Sequence, residues 1–190
     1  VRPTPTLRTA RLVLRRRTPA DAEALFPAFA DVEAMRYWSC APHANVEETH
    51  ADFARNGGGW RVWAITPAGS GTAIGFVAAG EKRQGNVSEL GYMLARAHWG
   101  RGFAGEAVSA VIDRVFAEGQ RRVFADTDPD NAASRALLER LGFRLEGLLR
   151  AEWETHIGVR DTALYGLLPA DWSAARAEKV ERARRKIGER

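Results

Sequence analysis

One cysteine in 190 residues excludes a disulfide framework and any cysteine-based zinc cluster. Cys40 therefore reads as an inert thiol in a reducing compartment. No apolar run approaches the roughly 18 residues a membrane span needs, and Val1 to Ala10 lack the hydrophobic stretch of a signal peptide, so the expectation is a cytoplasmic protein with no membrane role. The four histidines (His43, His50, His98, His156) are far apart and none forms a His-x-x-x-His pair, so no metal site is expected. A Gly-x-Ser-x-Gly elbow is also missing, which removes the usual sign of serine hydrolysis. What remains is a chain of 45% hydrophobic and 27% charged residues without internal repeats, the composition of one folded domain.

Acids are absent before Asp21, while Arg2, Arg8, Arg11, Arg15, Arg16 and Arg17 already stand there. Residues 18–175 carry 21 acids against 15 bases, and residues 176–190 carry seven bases against three acids, which accounts for the whole formal excess of +4. A domain over 1–175 followed by a basic helical tail over 176–190 is the expected division. The tail reads as a solvated helix rather than a nucleic-acid arm, so no specific nucleic acid is expected as a partner. The mildly acidic body suits a cationic one.

Along the chain, Leu7, Leu12 and Leu14 alternate with arginines as a strand, and Thr18-Pro19-Ala20-Asp21 has the cap, proline and first-turn acid of a helix start. Helical spacing follows through Ala22, Leu25, Phe26 and Phe29, then Val32, Met35 and Tyr37, and again from Glu47 to Arg55, stopped by Gly57-Gly58-Gly59. An antiparallel meander is predicted over 60–66, 73–80 and 87–95, with a turn at Gln84-Gly85-Asn86. Then come a helix over 106–118, a strand over 121–127, a helix over 131–141 capped by Gly142, and strands over 143–153 and 162–168 joined through Gly158 and Asp161. This is an α+β fold with one mixed sheet.

Between the fourth strand and the following helix lies His98-Trp99-Gly100-Arg101-Gly102-Phe103-Ala104-Gly105. A glycine-rich turn opening a helix offers unpaired N–H groups to a phosphate or diphosphate, although glycine also simply punctuates loops. Gly100-x-Gly102-x-x-Gly105 superficially fits a dinucleotide fingerprint, but it follows an antiparallel meander instead of the first strand of a βαβ unit.

The order of Glu89-Leu90-Gly91-Tyr92-Met93-Leu94, the run Trp99 to Ala107, Asn131-Ala132-Ala133-Ser134 and Leu141 to Gly147 resembles the GCN5-related N-acetyltransferases (GNAT), in particular the RimJ/RimL-like ribosomal-protein alanine acetyltransferases. The resemblance runs from about Leu7 to Trp172. It implies the GNAT fold: a mixed, mostly antiparallel sheet of about seven strands, splayed between strands 4 and 5 and flanked by helices. It implies acetyl-CoA as cofactor, with its diphosphate on the loop from His98, Trp99 and Gly100 through Arg101, Gly102, Phe103, Ala104, Gly105 and Glu106, and its pantetheine arm along Met93, Leu94 and Ala95. Trp99 departs from the family's Gln/Arg at the first position of the loop. Self-association as a homodimer is also implied.

Acetyl transfer from a thioester to an amine needs a neutral amine, a donor for the developing oxyanion and a proton for the leaving thiolate. Main-chain N–H groups near Met93 or Leu94 could serve as the donor. Glu89 stands on the opposite strand face from Leu90, Tyr92 and Leu94, either as the base or as a surface carboxylate. Glu152, where the resemblance places a proposed base, is its rival, and its plainer reading is a rim carboxylate pairing with Arg150 or Arg160. Either could act through water. Ser134 is the candidate acid and Asn131 the candidate anchor for pantetheine, though the pair equally fits ordinary helix capping; relatives carry a tyrosine where this chain has Leu138. Tyr92 reads as a core aromatic.

An α-amine with a reference pKa of about 7.7–8.0 needs little help to lose its proton. The expected acceptor is therefore a protein N-terminus or a small amine-bearing molecule, attacked directly in a ternary complex. Its cleft is expected between residues 21–55 and the hairpin 152–161, with Trp38, Trp60 and Trp153 as candidate walls. The alternatives are a non-catalytic acyl-CoA-binding regulatory module and a polyamine- or aminoglycoside-type small-molecule acetyltransferase.

Overall fold

Thr9 breaks the opening segment in two. Its Oγ1 accepts from the Leu12 N–H at 3.0 Å while its own N–H donates to the Leu12 carbonyl at 2.9 Å. This tight turn folds Leu7–Arg8 (β1) back onto Leu12–Arg16 (β2), with Leu7 opposite Leu14. The single strand expected there is a hairpin, and among the described residues the sheet has eight strands rather than about seven. The computed structural model describes residues 2–55, 59–81 and 85–188; Gly57, Gly58 and Gln84, expected in turns, lie outside them.

The other strands are Trp60–Pro67 (β3), Gly75–Glu81 (β4), Val87–Leu94 (β5), Arg122–Thr127 (β6), Arg144–Thr155 (β7) and Gly158–Leu167 (β8), in the sheet order β1-β2-β3-β4-β5-β6-β8-β7. Every neighbouring pair is antiparallel except β5 and β6, which run parallel. The last hairpin turns at His156-Ile157, since Thr155 already pairs with Gly158, and not through Gly158 and Asp161. Asp161 sits inside β8, where its Oδ1 accepts the Ala151 N–H at 2.8 Å. That bond holds a bulge in which residues 150–152 of β7 oppose Asp161 alone, with Ala151 at φ 51°.

The helices are Ala22–Phe29 (α1), Val32–Met35 (α2), Val46–Ala54 (α3), Phe103–Ala117 (α4), Ala132–Arg140 (α5) and Pro169–Gly188 (α6). α4 buries Ala107, Val108, Val111, Ile112 and Val115, one stripe at helical spacing, against Leu12, Leu14, Leu90 and Val123 of the sheet. On the other sheet face α1 to α3 cover Ala64, Phe76, Ala78 and Met93 with Leu25, Phe29, Met35 and Phe53. Trp172 ties α6 to α4 by donating to Asp113 Oδ1 at 2.8 Å. Among the described residues no helix is long and apolar enough to cross a membrane, and no cluster of three or more His, Cys, Asp or Glu has metal-holding geometry.

The turn from β2 into α1 follows the capping chemistry of Thr18-Pro19-Asp21. Asp21, only 4% exposed, takes both guanidinium nitrogens of Arg15 at 2.9 and 2.6 Å and the Thr18 N–H at 2.8 Å. Burial works to raise its pKa, but those bonds outweigh it and hold the carboxyl below the usual aspartate range. Asp21→Ala should cost about 3 kcal/mol at neutral pH, because Arg15 is left without its partner. A depressed carboxyl stabilises above its unfolded pKa and loses that contribution as pH falls. The gap between wild type and variant in urea unfolding should therefore close below about pH 4. A gap independent of pH would refute the assignment.

Candidate active site

The parallel pairing of β5 with β6 covers only Val87, Ser88 and Glu89 against Arg122, Val123 and Phe124. β5 continues to Leu94 while its bonds on the other edge, to β4, persist from Ser88 to Leu94. The Ala95 N–H donates to the Ile74 carbonyl of the segment leading into β4 at 2.8 Å. By alternation the main-chain groups of Met93 and Gly91 also turn to β4, and those of Leu94 and Tyr92 turn toward the edge β6 has left. Of Met93, Leu94 and Ala95, only Leu94 thus offers its N–H to a ligand lying in the gap; Tyr92 offers a second.

The loop beyond β5 presents the complementary surface. Gly100 and Gly102 adopt φ of 73° and 76°, the left-handed region that suits glycine. The N–H groups of Gly100, Arg101, Gly102, Phe103, Ala104 and Gly105 find no acceptor within the described residues, and no side chain caps α4. These six donors stand at the positive end of a 15-residue helix, and a Cβ added at Gly100 would meet nothing within 4 Å. His98 adds a buried Nδ1 without a hydrogen-bond partner beside the loop. Residues of this kind fit the diphosphate of acetyl-CoA.

Glu106 stands apart from those donors. Its N–H already bonds the Gly102 carbonyl at 3.1 Å. Its carboxylate accepts from the Thr9 hydroxyl at 2.5 Å, the Arg11 N–H at 2.9 Å and Arg11 Nε at 2.7 Å. Burial works to raise the pKa of Glu106, and these bonds bring it below the usual glutamate range. Arg11 also donates to the Arg101 carbonyl at 2.9 Å and lies over the Phe103 ring at 4.7 Å. The β1–β2 turn is thereby strapped to the glycine loop. Trp99 makes the second strap: its indole N–H reaches the Leu94 carbonyl at 2.6 Å, fastening the loop to the open edge of β5.

At the other side of the gap, α5 begins with Asn131 as cap, its Oδ1 accepting the Ser134 N–H at 3.1 Å. That leaves the carboxamide NH2 of Asn131 for a ligand. The Ser134 hydroxyl is 2.7 Å from the phenol oxygen of Tyr92. Tyr92 packs against the core as expected from sequence, yet its polar end belongs to the site. Burial pushes its phenol up to about 12, with Ser134 pulling the other way.

The carboxylates separate. Glu89 is half-buried, at the last residue of the parallel pairing, on the face covered by α1 to α3. Glu152 lies in the bulge of the outermost strand, exposed, and Arg160 is committed instead to Asp128 at 2.7 and 3.0 Å and to Asp130 at 2.5 Å. Of the tryptophans, Trp60 lies against Gly80, the register partner of Glu89, and Trp38 packs 5.8 Å from Phe76. Trp153 is 44% exposed and donates to Asp126 Oδ2 at 3.0 Å. Sequence alone did not single out Asp126.

The family model described as "Acetyltransferase (GNAT) domain" matches residues 11–144. The N-acetyltransferase YoaA of Bacillus subtilis (strain 168), itself uncharacterized, is 36% identical over 175 residues, 86% of this chain and 97% of YoaA. A GCN5-related N-acetyltransferase from Brucella melitensis shares the fold with a TM-score of 0.83 at 24% identity, over 93% of this chain and 84% of that one. The ribosomal L7/L12 α-N-protein acetyltransferase RimL, solved in complex with coenzyme A, shares it with a TM-score of 0.75 at 20% identity, over 86% of this chain and 98% of RimL.

The raised phenol is open to test by ultraviolet titration of the three tyrosines. Tyr92→Phe should remove an absorbance step near pH 12, and Ser134→Ala should move that step further up, since the serine bond favours the phenolate. Loss in Tyr92→Phe of a step well below pH 12 would contradict the burial of this group. Matched along residues 11–144 and by YoaA across nearly the whole of both chains, the protein belongs to the GNAT acetyltransferase family.

Proposed function

We propose that the protein moves an acetyl group from acetyl-CoA to a primary amine, either a protein N-terminal α-amine or a small amine, by direct attack in a ternary complex. Within the family we assign it to the RimJ/RimL-like ribosomal-protein alanine acetyltransferases, on the motif order and the shared fold with RimL. One observation carries the reading. The edge of β5 that β6 abandons after Glu89 leads directly to the six free N–H groups at the start of α4.

Acetyl-CoA, when bound, supplies an activated acyl carbon on a thiol leaving group. The N–H groups from Gly100 to Gly105 hold the diphosphate, and the Leu94 N–H, beside the loop and fixed by the strap from Trp99 to its own carbonyl, receives the pantetheine arm as an added strand would be received. The Tyr92 N–H, two residues nearer Glu89 and next to Ser134, is the donor for the thioester oxygen. Asn131 turns its free NH2 toward the arm. Ser134 would relay a proton to the leaving sulfur and be resupplied by the neutral phenol of Tyr92 at 2.7 Å, which is restored from water as the amine gives up its own proton.

Glu89 is the better placed base, taking the amine proton through water, because it lies where the gap opens while Glu152 sits on the outermost strand. An α-amine is partly neutral near its reference pKa of about 7.7–8.0, so a water-mediated base is sufficient.

The test is acetyl-CoA turnover with an alanine-initiated peptide and with spermidine as acceptors. Gly102→Val forces a branched side chain into left-handed backbone, with Arg11 Nη2 3.4 Å from the new Cβ, and should weaken coenzyme A binding at least tenfold. Ser134→Ala and Tyr92→Phe should lower kcat by about 10²-fold and leave coenzyme A affinity unchanged. Tight coenzyme A binding with transfer to neither acceptor would replace this reading with the regulatory module.

A further inference from the structure

We infer that Asp126 receives the ammonium group of the acceptor and that the acceptor is a cationic amine with no carboxylate beside its amino group. The inference rests on the acetyl-transfer reading and narrows its substrate class.

The register fixes where Asp126 stands. Val123 and Ala125 of β6 face α4, so Phe124 and Asp126 face the side covered by α1 to α3. Glu89 and Gly91 of β5 face the same side. Glu89 and Phe124 are the last parallel partners, and two residues further on each strand stand Gly91 and Asp126, on opposite banks of the gap. A Cβ built on Gly91 meets nothing within 4 Å. The space next to Asp126's bank is therefore open on the face opposite the glycine loop, and an acceptor approaching from the side away from the cofactor would enter there. The Tyr37 hydroxyl donates to the Asp130 carbonyl at 3.2 Å, so the segment after α2 borders this mouth.

Charge distinguishes Asp126 from its neighbours. In Asp126-Thr127-Asp128-Pro129-Asp130, Asp128 and Asp130 share one cation, Arg160. Asp126 pairs with no cation among the described residues. It is held by a neutral donor, the Trp153 indole, which uses one carboxylate oxygen and leaves the other. Such a carboxylate is oriented without being compensated, the arrangement that attracts a cation from outside. An acceptor carrying its own carboxylate beside the amine would meet repulsion from Asp126, whereas an N-terminal peptide or an amidated amino acid would not.

The experiment compares alaninamide with free alanine, by acetyl-transfer kinetics and by saturation-transfer NMR titration into the protein loaded with coenzyme A. Wild type should prefer alaninamide at least tenfold. Asp126→Asn should raise the KM for alaninamide about tenfold, change kcat less than threefold, and bring the two probes near parity, with coenzyme A affinity unmoved. Asp126→Glu should recover most of the loss. Trp153→Phe, which releases the carboxylate without removing it, should raise KM about threefold. Equal use of alanine and alaninamide by wild type, an unchanged KM in Asp126→Asn, or no alaninamide binding by NMR would each overturn the inference. Alaninamide binding that depends on Asp126 but leads to no acetyl transfer would uphold it and count against the catalytic reading alone.

Discussion

Two neighbouring strands that part company decide what this molecule can hold. A parallel pair normally consumes the inward-facing N–H and C=O groups of both partners, and an unpaired buried main-chain group costs about 1–3 kcal/mol. β5 and β6 keep their bonds only through Glu89 and Phe124. Past that point β5 is kept straight by β4 alone, and β6 by β8. The separation survives because each strand has a second neighbour and because helices cover both faces of the sheet. Everything assigned to chemistry lies along this parting: Tyr92 and Leu94 on one bank, Asp126 on the other, Ser134 above, and the glycine loop at the far end.

The loop in turn depends on side chains that touch no ligand. Arg11 and Glu106 occupy each other, Thr9 completes the cluster, and Arg11 reaches the Arg101 carbonyl. An acid in the first turn of α4 would otherwise oppose an incoming diphosphate, and pairing with Arg11 removes most of that opposition. The same turn that splits the first strand into β1 and β2 places Thr9 and Arg11 where they can do this. An irregularity in the sheet and the firmness of the anion cradle thus have one origin.

How far the sequence could be read depended on the distance over which each feature is determined. Thr18-Pro19-Asp21, the left-handed Gly100 and Gly102, and the Gly142 stop are local, and each lies where the residue types required. Element order and the mixed sheet followed from changes of period. The turn at Thr9 is not legible, because Leu7, Leu12 and Leu14 set among arginines look alike in one strand or two. Strand parity was out of reach too: nothing in Met93-Leu94-Ala95 says which residue turns its N–H to β4. The reason for tryptophan at position 99 lies in a contact the sequence does not display, the bond from its indole N–H to the Leu94 carbonyl. Tyr92 with Ser134 and Asp126 with Trp153 join residues 42 and 27 positions apart, contacts that only the folded chain specifies.

A vacant strand edge is ordinarily a hazard, since it invites another polypeptide to add itself and begin a fibril. Here the vacancy lies in the interior of an eight-stranded sheet, between its fifth and sixth members, and narrows to nothing where Glu89 meets Phe124. Only Tyr92 and Leu94 turn main-chain groups to it, so an intruding strand would find too few partners to start a ladder of its own.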